Sequence, residues 1–335
     1  MSEKGSLMEP EKFQEVFTGL AREVRKVIVG HDDVIRKVLI AFFAGGHVLL
    51  EGVPGLGKTL LVKSLSHALG ISFKRIQFTP DLMPSDIVGT QVLAEGNGRR
   101  EFQFKRGPIF AHVVLADEIN RATPKTQSAV LEAMEEKQVT VFGESHALES
   151  PFMVLATQNP IELEGTYPLP EAQLDRFFFK LLVFPPSPAE LREILQRTTG
   201  ADTGETVKVL PDDEGQLIDE MKQLLRQVLI APPIEDYVVR VVHATQPDSN
   251  SSSTPSSPVK QYLRYGSSPR GAQAIILGAK GNALAEGRVH VSYEDVEKML
   301  YPALRHSIIL NFQAEAENVN ADQILAEVIK QVPRN

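Results

Sequence analysis

An octet at residues 52–59 has the residue types and the spacing of a phosphate-binding loop. It reads GVPGLGKT, which fits G-x-x-x-x-G-K-[ST], and it stands between an apolar run at 48–50 and an apolar helical pattern at 60–65. Glycines let the N–H groups of a helix start approach a polyphosphate, while the lysine reaches the β and γ phosphates and the threonine can hold Mg²⁺. The alternative is a tight glycine turn between a strand and a helix. We predict that a nucleoside triphosphate is bound by Gly52, Val53, Pro54, Gly55, Leu56, Gly57, Lys58, Thr59 and Leu60.

Two adjacent carboxylates end a continuous apolar run. Residues 112–118 read HVVLADE, which is typical of a central parallel strand buried on both faces, and Asp117 and Glu118 come last. Sheets of the α/β class place ligands at the carboxyl ends of their strands. Two solvated acids at a strand end are the alternative. With a phosphate-binding loop upstream, we predict that Asp117 binds the Mg²⁺ water shell and that Glu118 polarises the attacking water.

Two further polar residues lie where predicted elements end. Asn159 follows the buried run that begins at Phe152, and its amide could orient the water or bond a γ-phosphate, although an asparagine before a proline is usually a turn former. Arg176 ends a short helical stretch, where an arginine most often complements the helix dipole. Phosphoryl transfer spreads negative charge over the γ-phosphate oxygens, so a cation beyond Lys58 and Mg²⁺ is expected. Both residues are therefore site candidates.

These residues need a sheet whose strands alternate with helices. Apolar spacing predicts two helices between residues 10 and 43, ahead of the first strand. Two β-hairpins interrupt the alternation, at 87–105 and 139–148, and Asn97 followed by Gly98 is the strongest hairpin signal. Strands are predicted at 48–50, 71–77, 112–118, 152–160 and 177–183. The fold class is therefore α/β, with a parallel sheet flanked by helices and two hairpin inserts.

A second, all-α domain is predicted after a proline-rich break at 185–188. Ser187, Pro188 and Glu190 together form a good helix start, with a cap, a first-turn proline and a capping-box acid. Mainly helical patterns follow, apart from a serine-rich low-complexity loop at 248–258. We predict domain boundaries at 1–184 for the α/β domain and 185–335 for the helical domain.

Composition excludes several classes of function. The chain has 335 residues, 42% hydrophobic content and a formal net charge of −8, which argues against a general nucleic-acid or anionic-membrane surface. It has no cysteine, so disulfides, thiolate metal sites and a cysteine nucleophile are excluded. The first residues lack a secretory signal, and the apolar run at 38–44 is too short to span a bilayer. We expect a cytoplasmic protein without membrane insertion.

Five segments carry a resemblance to the MoxR family of AAA+ ATPases, and the similarity extends over residues 27–309. They are the phosphate-binding octet, LADEINR at 115–121, ATQNP at 156–160, YPLPEAQLDRF at 167–177 and GSSPR at 266–270. The resemblance implies a P-loop AAA+ nucleotide-binding domain followed by a helical lid, assembled as a homo-hexameric ring. It also implies that the two hairpins are the helix-2 and presensor-1 inserts, which in related rings face the pore or the client.

The resemblance also assigns roles to single residues. Residues 28–31, including Val29 and Gly30, match the stretch that meets adenine, with His31 where the family commonly has glutamine. Whether Arg270 reaches its own or a neighbouring subunit's nucleotide stays open. The implied roles are Walker A for Lys58 and Thr59, Walker B for Asp117 and Glu118, sensor 1 for Asn159, arginine finger for Arg176 and sensor 2 for Arg270.

The implied function is ATP hydrolysis to ADP and phosphate, with ATP and Mg²⁺ as cofactors. The resemblance couples it to remodelling, maturation or metal insertion of client complexes, in chaperone-like action with a von Willebrand factor A domain partner. A nucleic-acid motor is an alternative, because the first hairpin carries Arg99, Arg100, Lys105 and Arg106. The negative net charge of the chain argues against it. A regulatory nucleotide switch is another alternative, and the water-activating acid Glu118 argues against that.

Overall fold

The structure, a computed structural model, is built on a five-stranded parallel sheet. It describes residues 8–96, 99–160, 165–200, 205–210, 215–247 and 258–334. The strands are β1 (Val48–Glu51), β2 (Phe73–Gln77), β3 (Gly89–Gly96), β4 (Arg99–Arg106), β5 (Val113–Asp117), β6 (Gln138–Val141), β7 (Glu144–Ala147), β8 (Met153–Gln158), β9 (Phe179–Leu182), β10 (Leu263–Tyr265) and β11 (Ile309–Leu310).

Helices cover the sheet and form the second domain. Within the described ranges, no helix combines the length and the apolarity needed to cross a membrane. The helices are α1 (Pro10–Val27), α2 (Asp32–Ala44), α3 (Lys58–Ala68), α4 (Pro84–Val88), α5 (Pro124–Glu136), α6 (Glu171–Leu174), α7 (Pro188–Thr199), α8 (Gly215–Gln227), α9 (Pro232–Ala244), α10 (Pro258–Tyr262), α11 (Pro269–Ala285), α12 (Tyr293–Leu304), α13 (Phe312–Ala316) and α14 (Ala321–Gln331).

The strand order of the sheet is β2-β5-β8-β1-β9, and every pairing is parallel. The register sets Leu49 beside Ala156, and Ala156 beside Ala116. All residues of β5 are buried, as the continuous apolar run predicted. The predicted α/β fold is confirmed, and the chain segments that follow β1, β5 and β8 meet at one edge of the sheet.

The helical domain packs on the sheet through the N-terminal helices. Side chains of α1 and α2, one face of the sheet and α8, α9, α11, α12 and α14 belong to one hydrophobic cluster. Arg36 of α2 donates from Nε to Asn282 Oδ1 of α11 at 2.8 Å. Arg305, directly after α12, donates to the carbonyl of Lys180 in β9 at 3.2 Å. These contacts hold α11 and α12 against β9 and α2.

Both predicted hairpins are present. β3 pairs with β4, and β6 pairs with β7, both antiparallel. The hairpins contact each other where the rings of Phe104 and His146 stack with centroids 4.2 Å apart. The predicted turn at 97–98 and most of the serine-rich loop, 248–257, lie outside the described residues. The second hairpin ends at Ala147, earlier than predicted, and α4, α10, α13 and the β10–β11 pair were not predicted.

The start of α7 follows the prediction. Ser187 N donates to Glu190 Oε2 at 2.7 Å, and Glu190 N donates to Ser187 Oγ at 3.3 Å, so the capping box is confirmed. A domain boundary between residues 184 and 185 stays a prediction.

A buried carboxylate organises the C-terminal part of the helical domain. Asp295 of α12 is fully buried. Its oxygens accept from Asn282 Nδ2 at 2.6 Å, from both Arg288 Nη atoms at 2.7 Å and from Ser292 N at 2.8 Å. Burial alone would raise the pKa of Asp295, but these donors stabilise the charged form and lower the pKa to about 2.

We predict that Asp295→Asn lowers the free energy of unfolding by about 2 kcal/mol at pH 7. Because the folded pKa is depressed, the unfolded chain binds the proton more tightly. The contribution is therefore fully present above the unfolded value of 3.8 and is lost as pH falls through about 2. Urea unfolding should show the gap between wild type and variant narrowing below pH 4.

The matched control is Asp236→Asn, which removes an exposed carboxylate on α9 and should leave stability within about 0.5 kcal/mol of wild type. Equal stability of Asp295→Asn and wild type at pH 7 would contradict this account of the network.

Candidate functional site

The phosphate-binding loop wraps around the lysine that begins α3. Gly57 is the N-cap of α3 with φ of 75°, a left-handed conformation that favours glycine. Lys58 Nζ donates to the carbonyl of Gly52 at 2.5 Å. A Cβ built on Gly52 would lie 2.5 Å from the carbonyl oxygen of Val183, so only glycine fits where the loop meets the end of β9.

A cavity of about 320 Å³ opens over this loop at the carboxyl edge of the sheet. It brings together nine of the predicted site residues from three separate parts of the chain. Gly52, Val53 and Leu56 belong to the same loop but do not line the cavity. The lining residues are Pro54, Gly55, Gly57, Lys58, Thr59, Leu60, Arg75, Asp117, Glu118, Thr157 and Asn159.

Thr157 of β8 fixes both predicted acids. Its Oγ1 donates to Asp117 Oδ1 at 2.6 Å and accepts from Glu118 N at 2.8 Å. Glu118 itself has a left-handed backbone, with φ of 57°, directly after β5. Asp117 is buried and Glu118 is half-buried, so one hydroxyl orients a buried carboxylate and the turn that presents its neighbour.

Polar groups from β2 and from the turn after β5 engage the same acids. Arg75 Nε donates to Asp117 Oδ2 at 2.9 Å. Glu118 Oε2 accepts from Gln77 Nε2 and from Arg121 Nη1, both at 2.8 Å. Sequence reasoning missed Arg75, Gln77 and Thr157, because their positions depend on β2 and β8 flanking β5, which no sequence pattern states. It also missed Arg121, although its spacing of three residues from Glu118 could have indicated the contact.

Burial beside these acids also changes the pKa of Lys58. Burial lowers the pKa of Lys58, since the low dielectric disfavours its charge. Asp117, Glu118 and Glu51 oppose that shift through their negative charges. The ammonium group therefore stands opposite carboxylates across a cavity that can take a polyphosphate and its metal.

The segment predicted to meet adenine lies beside the loop. A Cβ built on Gly57 would lie 3.9 Å from Ile28 Cδ1, so the Ile28 side chain reaches the start of α3. Val29 and Gly30 follow Ile28 in the chain, but neither lines the cavity. A Cβ built on Gly30 would lie 2.5 Å from Glu190 Oε1, so the first turn of α7 closes over this segment. Burial lowers the pKa of His31, and the charge of Glu190 opposes that shift.

Arg176 and Arg270 lie elsewhere, at the amino edge of the sheet. Both line a cavity of about 380 Å³ that also includes Gly46 and His47, just before β1. The loop follows the other end of β1, and Gly46 to Gly52 spans roughly 20 Å at 3.3 Å per residue. The structure thus separates the predicted site residues into a nucleotide cluster and an arginine cluster.

A residue that sequence reasoning missed bridges the two arginines of this cluster. Glu135 of α5 accepts from Arg176 Nη2 at 2.8 Å and from Arg270 Nη2 at 2.5 Å. Arg176 Nη1 also donates to the carbonyl of Leu131 at 2.7 Å. A carboxylate at the end of an ordinary amphipathic helix gives no sequence signal of such a role.

Comparisons with known proteins match two family models to separate parts of the chain. The family model described as "ATPase family associated with various cellular activities (AAA)" matches residues 47–179, and the one described as "AAA lid domain" matches residues 256–328. The crystal structure of a Cytophaga hutchinsonii protein superposes with a TM-score of 0.88 and 39% identity, covering 97% of this chain and 96% of that one.

Two named relatives are similar over almost the whole chain. Chaperone MoxR1 of Mycobacterium tuberculosis is 43% identical over 310 residues, which are 92% of this chain and 80% of the relative. Protein MoxR of Methylorubrum extorquens is 30% identical over 323 residues, which are 93% of this chain and 92% of the relative. With its α/β nucleotide cluster and helical lid, the chain belongs to the MoxR family of AAA+ ATPases.

Proposed function

We propose that this protein hydrolyses ATP to ADP and phosphate in the cytoplasm and uses the cycle to remodel client protein complexes as a chaperone. The observation that carries the proposal is the cavity at the carboxyl edge, where the loop, Asp117, Glu118 and Asn159 converge. Lysine, two acids and an amide around one phosphate-sized space are what phosphoryl transfer to water requires. A nucleotide switch would not need Glu118 there.

Each residue has a distinct role in this proposal. Lys58 and the loop N–H groups bind the phosphates, and Val29 and Gly30 contact the adenine. Glu118 takes a proton from the attacking water, while Asn159 orients that water. Thr157 keeps Glu118 and Asp117 in place through its two hydrogen bonds.

The donor set fits Mg²⁺. Thr59 and Asp117 present a hydroxyl and a carboxylate to the same cavity, and oxygen ligands are those that Mg²⁺ prefers. Bound Mg²⁺ would neutralise charge on the phosphates. Arg75 also contacts Asp117, so its guanidinium and a cation would share that carboxylate.

We further propose that Arg176 and Arg270 act on the nucleotide of a neighbouring subunit in a homo-hexameric ring. The separation of the two clusters supports this arrangement, because the arginines lie beyond a whole strand length from Lys58 in their own chain. A positive group that acts across an interface would make hydrolysis depend on assembly.

The proposed partner is a von Willebrand factor A domain protein, and the proposed outcome is maturation of, or metal insertion into, a client complex. The name of the M. tuberculosis relative, a chaperone, supports the chaperone role. Exposed Leu93, Phe102 and Phe142 on the two hairpins offer apolar surface for such contacts.

Lys58→Ala should abolish ATP binding, whereas Glu118→Gln should bind ATP normally and lose roughly 10²- to 10⁴-fold in kcat. The reason is that Lys58 meets the phosphates in the ground state, while Glu118 is needed only when water attacks. Fluorescent-nucleotide titration and phosphate release measure the two effects. Lys63→Ala, on the exposed face of α3, is the control. Wild-type turnover by Glu118→Gln would disprove its role.

Thr157→Val should reduce kcat and raise the Mg²⁺ concentration for half-maximal ATP binding, each by about 10- to 100-fold. The substitution keeps the shape but removes the hydroxyl that orients Asp117 and Glu118. In EDTA, where no Mg²⁺ is available, the variant and the wild type should bind nucleotide equally. Thr140→Val, on the exposed face of β6, should change neither quantity. An unchanged Mg²⁺ requirement in Thr157→Val would show that Asp117 does not serve the metal.

Arg176→Ala should bind ATP with near-normal affinity and hydrolyse it about 10³- to 10⁵-fold more slowly. Mixing it with Lys58→Ala subunits, which keep Arg176, should restore part of the activity, because each variant supplies what the other lacks. Phosphate release from mixtures of stated ratio measures this. Arg192→Ala, an exposed arginine on α7, is the matched control. Full turnover by Arg176→Ala would contradict a shared site, that is, a hydrolytic site to which two neighbouring subunits contribute residues.

A further inference from the structure

One carboxylate joins the two arginines of the arginine cluster. Glu135 uses a different oxygen for each partner: Oε2 accepts from Arg176 and Oε1 accepts from Arg270. Arg176 belongs to the α/β domain, just before β9, whereas Arg270 belongs to the first turn of α11. The carboxylate therefore connects two elements that are far apart in the sequence.

The backbone around both arginines is connected by a second, parallel link. Asp175 accepts from Ser268 Oγ at 2.7 Å and from Ser307 Oγ at 2.8 Å. Ser268 Oγ in turn accepts from Arg270 N at 3.0 Å and so caps α11. The residue beside Arg176 thus holds the helix turn that carries Arg270, while Glu135 holds the two guanidinium groups.

The cavity beside the two arginines is rich in cationic residues, and Glu135 is the carboxylate bonded to both guanidinium groups. Lys137 and Arg226 line the same cavity as the two arginines, so its lining holds four cationic residues against the carboxylates Glu135 and Asp175. Like charges close together repel, and a carboxylate between them offsets part of that repulsion. The hydrogen bond from Arg270 lowers the pKa of Glu135, so its carboxylate is charged at neutral pH.

The two arginines differ in how firmly they are held. The Arg176 side chain is 25% exposed and is also bonded to the Leu131 carbonyl, one turn earlier on α5. The Arg270 side chain is 49% exposed, and among the residues that the structure describes its guanidinium group hydrogen-bonds to Glu135 alone. Loss of Glu135 would therefore release Arg270 more than Arg176.

We propose that Glu135 is a positioning residue that holds Arg176 and Arg270 as one unit for a neighbouring subunit's nucleotide. The inference rests on the proposed shared site, and it adds that the two cations are delivered together. Because Arg270 starts the lid helix α11 whereas Glu135 and Arg176 belong to the α/β domain, a displacement of the lid would separate Arg270 from the other two residues. Contact between Glu135 and Arg270 would thus link the position of the lid to hydrolysis in the neighbouring subunit.

The test compares Glu135→Gln with Glu136→Gln, which removes an equal charge from the exposed neighbouring residue of the same helix. Glu135→Gln should lower kcat about 10- to 100-fold, the cost of misplacing a catalytic group by an ångström or so. Its affinity for fluorescent ATP should stay within about threefold of wild type, since the nucleotide cluster is untouched. Glu136→Gln should match wild type in both. Equal kcat for the two variants would overturn the proposal.

A double-mutant cycle asks whether Glu135 acts through Arg270. In an Arg270→Ala background, Glu135→Gln should lower kcat by less than about threefold further, because Arg270 is already gone and Arg176 keeps its bond to the Leu131 carbonyl. An undiminished loss in that background would overturn the proposal.

Mixing experiments distinguish a positioning role of Glu135 from damage to the nucleotide site of its own subunit. Glu135→Gln should recover activity when mixed with Lys58→Ala, which supplies intact arginines, and should not recover when mixed with Arg176→Ala. The reverse pattern would show that Glu135 supports its own subunit's site and would overturn the inference while leaving the shared site intact. Full activity of Arg176→Ala alone would instead reject the shared site itself.

Discussion

Parallel pairing of β5, β8 and β1 is the constraint on which the rest of the structure depends. It places the ends of three strands at one edge, so that Lys58, Asp117 and Asn159 share a cavity although about a hundred residues separate the first from the last. Parallel pairing of β9 with β1 places the segment before β9, with Arg176, at the opposite edge. One sheet therefore creates the nucleotide cluster and also keeps the arginine cluster away from it.

The lid reinforces that separation. Its helices share a hydrophobic cluster with α1 and α2, and Arg305 bonds the backbone of β9. This packing sets the start of α11, and therefore Arg270, beside Arg176 rather than over the phosphate-binding loop. Under the proposed function, a single chain carries the phosphate-binding loop and Glu118 at one edge and Arg176 and Arg270 at the other, so these two arginines would serve the nucleotide of a neighbouring chain.

Residues whose roles follow from local pattern were predictable, and those whose roles follow from strand order were not. The loop at 52–59 and the acids after β5 have types and spacings that imply their chemistry. Arg75 and Thr157 meet Asp117 only because β2 and β8 flank β5. Glu135 meets Arg270 only because the fold brings the end of α5 to the start of α11. The short elements α4, α10 and α13 complete too few turns to show a helical period.

The central claim is that one chain does not contain a complete hydrolytic site. It is tested most directly by measuring ATPase activity per subunit over a range of protein concentrations, with sedimentation velocity on the same samples. The account predicts that specific activity rises with concentration and follows the appearance of oligomers. Constant specific activity down to concentrations at which only monomers sediment would contradict it.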